Sequence, residues 1–310
     1  MSEDENILFN HSLGKGLAVL KAFNARRRTM NLSEVAQAAG INKSSAQRMI
    51  HTLEALGYVR KNAVTKRFQL TAEIMEIGYN YLASNTLVDV ANPFLAELAQ
   101  VTGETTNLTE PVGQDMIYVA RFVGPKFIPI HLPLGSRIPM YCTASGRAYL
   151  SALDQAQMLE RLEGCELVQH THQTLTTLEQ IFERIEQARR NGFATNCEEL
   201  FLGDMALAAP VRNSDGIPVA AVHVVAPTSR WTVEDAERRL APAVLAGTGR
   251  AGVCARDHHV DSSVAALSRH RNFRFVFAAD DFRRRYRGQG RALRSSSSPD
   301  CSAASAREYR

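Results

Sequence analysis

Apolar residues recur at helical spacing from the start of the chain. Leu13, Leu17, Leu20 and Phe23 follow Ser12, which is expected to open a first helix ahead of the basic run Arg26, Arg27 and Arg28. A second, shorter helix is predicted within residues 31–40, NLSEVAQAAG. Ser33 serves there as N-cap, Val35, Ala36 and Ala39 as the apolar face, and Gly40 as the stop. A third begins after Asn42 and runs to Leu56, ahead of Gly57. Its stripe of Ala46, Met49, Ile50, Leu53 and Leu56 leaves Lys43, Ser44, Ser45, Gln47 and Arg48 free near the N-terminal end. Residues 58–70 then read as two short strands about a polar turn, a hairpin carrying Arg60, Lys61, Lys66 and Arg67.

From Thr71 the helical pattern resumes through Ile74, Ile77, Tyr81 and Leu82, passes Pro93 and continues to Val101. After Gly103 the period shortens. Strands are predicted at 105–110, 116–122 and 128–132, helices at 145–153 and 178–191, and two further strands at 206–211 and 219–225 joined by the turn NSDG at 213–216. A terminal helix opens near Trp231 and is readable to Leu245. Strands and helices in this mixture imply an α+β domain. The chain therefore divides into a flexible start over 1–11, a helix-and-hairpin domain over 12–71, a linker helix over 72–90, a second domain over 91–245 and a tail over 246–310.

Charge adds less than it first suggests. The net charge of +4 combines +7 in residues 246–310, with 13 Arg and no Lys, and −3 in the first 245. Overall basicity is thus no argument for a nucleic-acid partner, and local pattern must carry it. Five dispersed cysteines and the pair His170 and His172, without a third ligand at suitable spacing, predict neither disulfides nor a metal. No apolar run reaches the ~18 residues of a membrane span, and the start MSEDEN lacks a secretory pattern, so a cytoplasmic protein with no membrane partner is expected.

Two helices joined by a tight turn, the second with a polar leading edge and a basic hairpin behind it, make a winged helix-turn-helix. Gly40 supplies the turn. Gln47 and Arg48 have the side chains that pair bidentately with adenine and guanine edges, whereas Ser44 and Ser45 suit backbone positioning. Lys43, Arg60, Lys61, Lys66 and Arg67 are candidate phosphate contacts.

Six blocks then stand in a recognisable order: SLGKGLAVL at 12–20, LSEVA at 32–36, LEALGYV at 53–59, GSRIPM at 135–140, ASGRA at 144–148 and LG at 202–203. On these the chain resembles the IclR family of transcriptional regulators from about residue 12 to 245. The resemblance implies an α+β fold, with an N-terminal winged helix-turn-helix plus a C-terminal GAF-like effector-binding domain. It also implies dimers or tetramers at operator DNA, and repression or activation under a small organic effector, without catalysis or cofactor.

It further implies a pocket formed by Ala144, Ser145, Asn196, Ala206, His223 and Val225, with Phe127 and Ile130 as an apolar wall. Members that bind small oxo acids are similar in having an acidic residue at the place of Asn196, a cysteine at Ala206 and small hydroxyls at His223 and Val225. Those groups are replaced here, so a glyoxylate-like ligand is not expected. From chemistry alone, Thr143, Ser145 and His223 are partners for a carboxylate or hydroxyl, and Arg137 is a nearby cation. Phe127, Ile130 and Tyr141 suit an aromatic acid. His223, in AVHVV at 221–225, reads either as a ligand contact or as a satisfied core histidine.

Two enzyme readings compete. GTGRAG at 247–252 matches a dinucleotide fingerprint, but a helical pattern precedes it and no strand–turn–helix unit surrounds it. Ser145, His223 and Asp204 are the members of a hydrolase triad without a nucleophile elbow. Beyond 246 the resemblance stops, and the Arg-rich, Lys-free composition reads as a disordered basic extension or, preferentially, as the product of a reading-frame shift.

Overall fold

The computed structural model describes residues 8–125 and 132–254. The start over 1–7, most of the strand expected at 128–132 and the tail from 255 lie outside the described residues.

Short polar side chains set the helix starts in the first domain. α1 (His11–Ala22) begins at Asn10, whose side chain accepts from the Leu13 amide at 3.0 Å, so Ser12 is already inside the helix. α2 (Leu32–Ala38) begins at Asn31 rather than Ser33. Asn31 and Glu34 exchange side-chain-to-backbone hydrogen bonds of 2.9 Å, the reciprocal box that an Asn three residues ahead of a Glu permits. Gly40 takes φ +65°, which turns the chain into α3 (Lys43–Ala55), capped by Asn42. β1 (Val59–Lys61) and β2 (Phe68–Leu70) pair antiparallel, and Met30 makes a separate antiparallel bridge to Phe68. Val19, Phe23, Met30, Val35, Ala46, Ile50, Leu53, Val59 and Phe68 form the core. Leu13, Leu17 and Leu56, expected on buried stripes, are instead exposed.

α4 (Ile74–Ser84) buries none of its residues. The helical run expected over 72–90 breaks at Asn85, whose side chain caps α5 (Thr86–Thr102) through the Leu87 and Val88 amides. The chain then builds one antiparallel sheet from β3 (Thr105–Val112), β4 (Asp115–Phe122), β5 (Arg137–Pro139), β6 (Ala194–Cys197), β7 (Asp204–Arg212) and β8 (Pro218–Pro227), in the order β5-β4-β3-β8-β7-β6. The β7–β8 turn is the NSDG segment, where Asn213 Oδ1 accepts from the Asp215 and Ile217 amides and Gly216 sits at φ +79°.

Helices cover both faces. α5 and α9 (Val233–Cys254) pack Leu95, Leu98, Trp231, Leu240 and Val244 against Leu108, Leu207, Val222 and Val224. α6 (Ala144–Ala152) and α8 (Leu178–Asn191), with α7 (Gln155–Leu162) beside them, pack Leu150, Met158, Ile181 and Ile185 on the opposite face. β5, β6 and α7 had no counterpart in the hydrophobic pattern, and α9 continues nine residues past Leu245. GTGRAG is therefore helical throughout rather than a loop between strand and helix, which removes the dinucleotide reading. No described helix is long and apolar enough to cross a membrane.

Candidate nucleic-acid interface and candidate ligand site

In the first domain α3 and the hairpin share a cleft of about 490 Å³, lined by Ser44, Gln47, Arg48, His51 and Glu54 from the helix and by Lys61, Lys66 and Phe68 from the hairpin. Lys43, Ser44, Gln47 and Arg48 are exposed on the leading edge of α3, and Arg60, Lys61 and Lys66 on the hairpin. The hairpin tip is closed by its own hydrogen bonds. Asn62 Oδ1 accepts from the Val64 and Thr65 amides, and the Lys66 amide donates back to the Asn62 carbonyl at φ +56°. Lys61 Nζ lies 5.4 Å from the Phe68 ring centre, near enough for a cation–π contact.

Two of the expected contact residues are otherwise engaged. Ser45 is 3% exposed and packs inward. Arg67 is a brace: Nη2 donates to Glu34 Oε2 at 2.5 Å and to the Thr29 carbonyl at 2.9 Å, while Nε donates to Thr29 Oγ1. Glu34 completes the α2 capping box, so Arg67 ties the hairpin to that helix. The Asn31 amide, and then Arg67, hold the Glu34 carboxyl below its usual range.

In the second domain, strand register decides which side chains meet. Asn196, Ala206, Val225 and Thr105 are direct cross-strand partners on β6, β7, β8 and β3, so three of the expected pocket residues stand in one row. The next row, two residues along, is Ala208, His223, Asn107 and Arg121 on β7, β8, β3 and β4. Both rows face α6. His223 Nε2 lies 3.2 Å from the Tyr118 hydroxyl, with the two rings edge to face. Burial, followed by the nearby Arg121 charge, pushes the His223 pKa down to about 3, so the ring is neutral. Burial alone pushes the Asp204 carboxyl up to about 7.

Five buried polar side-chain atoms in the described residues lack a hydrogen-bond partner: Asn107 Oδ1 and Nδ2, Arg121 Nε, Ser145 Oγ and His223 Nδ1. All lie on this sheet face or on the helix covering it. Buried polar groups are nearly always paired, so this concentration makes the sheet face under α6 the candidate ligand site.

The remaining expected residues divide. Thr143 is spent on structure: its hydroxyl donates to the Pro139 carbonyl at 2.6 Å and caps α6 by accepting from Gly146 N. Ala144 is buried in the core, and Gly146 is required because a Cβ there would lie 2.2 Å from Met140 Cα. The Tyr141 hydroxyl donates to the Val168 carbonyl, and His170 stacks on the Tyr141 ring. Arg137 pairs with Asp115 at the sheet edge, away from the polar rows, so it is not the pocket cation. Phe127 and Ile130 lie outside the described residues. Ser145 Oγ and His223 Nδ1 have no partner, so Ser145, His223 and Asp204 form no proton relay here.

Asn107, Tyr118 and Arg121 were missed. Their signal was present: polar Thr105, Asn107 and Thr109 at every second position of TTNLT at 105–109, on a strand whose alternate face meets the core, and one arginine inside the apolar run YVARFV at 118–123.

The model of the IclR helix-turn-helix domain matches residues 12–63, and that of the bacterial transcriptional regulator IclR C-terminal domain matches 79–250. The chain belongs to the IclR family. It is a DNA-binding transcriptional regulator with an N-terminal helix-turn-helix and a C-terminal α+β domain. It is 32% identical to the Pca regulon regulatory protein of Pseudomonas putida over 77% of this chain and 82% of that one. It is also 32% identical to the p-hydroxybenzoate hydroxylase transcriptional activator of Acinetobacter baylyi, over 70% and 82% respectively. Among solved structures, a putative transcriptional regulator from Rhodococcus superposes with a TM-score of 0.68 at 32% identity, covering 80% of this chain and 99% of that one.

Proposed function

We propose that this IclR-family regulator binds its operator through Gln47 and Arg48 at base edges and through Lys43, Ser44, Arg60, Lys61 and Lys66 at phosphates. A small organic acid, aromatic by preference, controls that binding from the α6 face of the sheet. The observation that carries the sensor half is the gathering of five buried, unpartnered polar atoms under α6. The aromatic preference is supported by the Acinetobacter relative, named for activating p-hydroxybenzoate hydroxylase. The domain reading keeps the winged head over 12–71 and starts the sensor near the Asn85 break.

A homo-oligomer is part of the reading. α4 buries nothing yet presents Met75, Ile77, Tyr79 and Tyr81, and α1 presents Leu13 and Leu17, all exposed. A second copy offers the same apolar groups in return. The setting is the cytoplasm, where an operator is accessible. A thermal-shift screen of aromatic and aliphatic acids tests the sensor half, since a ligand that binds only the folded state raises its melting temperature. At least one aromatic acid is expected to do so at millimolar concentration. Equal melting curves across the screen reject the reading.

A further inference from the structure

The polar row of Arg121, Asn107 and His223 rests on the acid-effector reading and narrows it to particular atoms. These three residues are direct cross-strand partners, so their side chains leave one sheet face at strand spacing, roughly 4.5–5.5 Å apart. Four of the five unpartnered atoms belong to this row. Two are on Asn107, which is fully buried yet makes no side-chain hydrogen bond. An interior asparagine with both ends idle is a costly arrangement unless something occupies it.

Charge says what that occupant is. Among the described residues Arg121 pairs with no carboxylate; its Nη1 donates to the Leu132 carbonyl at 2.8 Å, and its Nε has no acceptor. Desolvation lowers the pKa of the guanidinium, which nevertheless stays charged. A half-buried cation with a spare donor, beside an amide with a spare donor, fits an anion with two oxygens. The α6 N-terminus with Ser145 is the competing seat, but a helix end presents only about half a charge. His223 completes the row differently. If Tyr118 donates to Nε2, Nδ1 carries the proton and offers a donor; in the other tautomer it offers an acceptor.

We propose that Arg121 and Asn107 together hold the carboxylate of the effector, with His223 beside them serving a second polar group of the same molecule. The α6 N-terminus is then secondary to the anion.

Calorimetric titration of the full-length protein tests this with four acids, 4-hydroxybenzoate, benzoate, cyclohexanecarboxylate and pyruvate, and with their four amides. The expected result is binding of at least one acid, with its amide at least about 10-fold weaker. Arg121→Met and Asn107→Asp should each weaken that acid by about 10- to 100-fold, the second by placing a competing carboxylate beside Arg121. Ser145→Ala should cost less than either. The melting temperature of ligand-free Asn107→Asp should hold or rise, which a merely structural asparagine would not give. If Arg121→Met fails to fold, Asn107→Asp decides alone.

Acid binding unchanged in both variants overturns the assignment while leaving an acid effector in place, and so does an amide that binds as tightly as its acid. No binding of any of the four acids overturns the assignment together with the acid-effector reading.

Discussion

The winged head and the sensor use the same polar chemistry under opposite conditions. In the head, Lys43, Gln47, Arg48 and Lys66 stand in solvent, where an unmatched charge costs little until DNA arrives. In the sensor, Asn107, Ser145 and His223 are buried and incompletely paired, a cost that the proposed ligand would relieve. The arginine clamps repeat the contrast. Arg67 to Glu34 in the head is roughly two-fifths exposed, whereas Arg147 to Glu199 in the sensor is buried and bidentate at 2.6 Å for each bond. Burial, more than residue type, sets what each group does.

The largest effect is expected where the sensor clamp is broken. Arg147→Met leaves Glu199 buried without its partner and should cost about 3–5 kcal/mol in urea unfolding. A loss no larger than that of a surface substitution would erase the contrast between the two clamps.

Asp204→Asn sharpens it through pH. A carboxyl raised to about 7 in the folded state is protonated there between about pH 4 and 7, while the unfolded chain is ionised. The unfolded state then binds fewer protons, so stability falls as pH rises across that window. The variant should unfold at higher urea than wild type at pH 8, by about 1–3 kcal/mol, with much of the gain absent at pH 4. A gain independent of pH would mean that the acid does not titrate as described.

On DNA, Arg48→Ala should cost about 1–3 kcal/mol on the operator and flatten base preference. Lys66→Ala should weaken all sequences alike and reduce the salt slope by about one. Equal losses for Arg48→Ala on operator and random DNA would remove it from base readout. Arg67→Ala should have the smallest effect, a stability loss well below that of Arg147→Met in the same urea titration, because its partner remains accessible to water.

The head was legible because its signals are local. The Gly40 turn, the Asn42 start and the polar edge of α3 are all within a few residues of what they control. The two misplaced caps were also local: the box spacing from Asn31 to Glu34 stood in the sequence, and Ser33 was the wrong member of a short list. α8 was read to the residue because a long amphipathic run ends at Gly192, φ +78°. α7 buries only Met158 and Leu162 across eight residues, and β6 is four residues long, too little pattern in either case.

The proposed pocket depends on pairing between distant segments. Asn107 meets His223 across more than a hundred residues of chain, and the choice of Arg121 over Arg137 follows from which strand face each occupies, a fact of register. The family resemblance supplied Asn196, Ala206, His223 and Val225, but Asn107 and Arg121, which share the row of His223, are not among the residues it implied.

The central claim is that occupancy of the sheet face changes the grip of the head on DNA. Fluorescence anisotropy measures it directly, using the intergenic DNA upstream of the gene, fixed salt, and the acid that most raises the melting temperature. The account predicts a shift of the binding midpoint by a factor of about 5 or more with the acid, lost in Arg121→Met. Superimposable isotherms with and without the acid would contradict it.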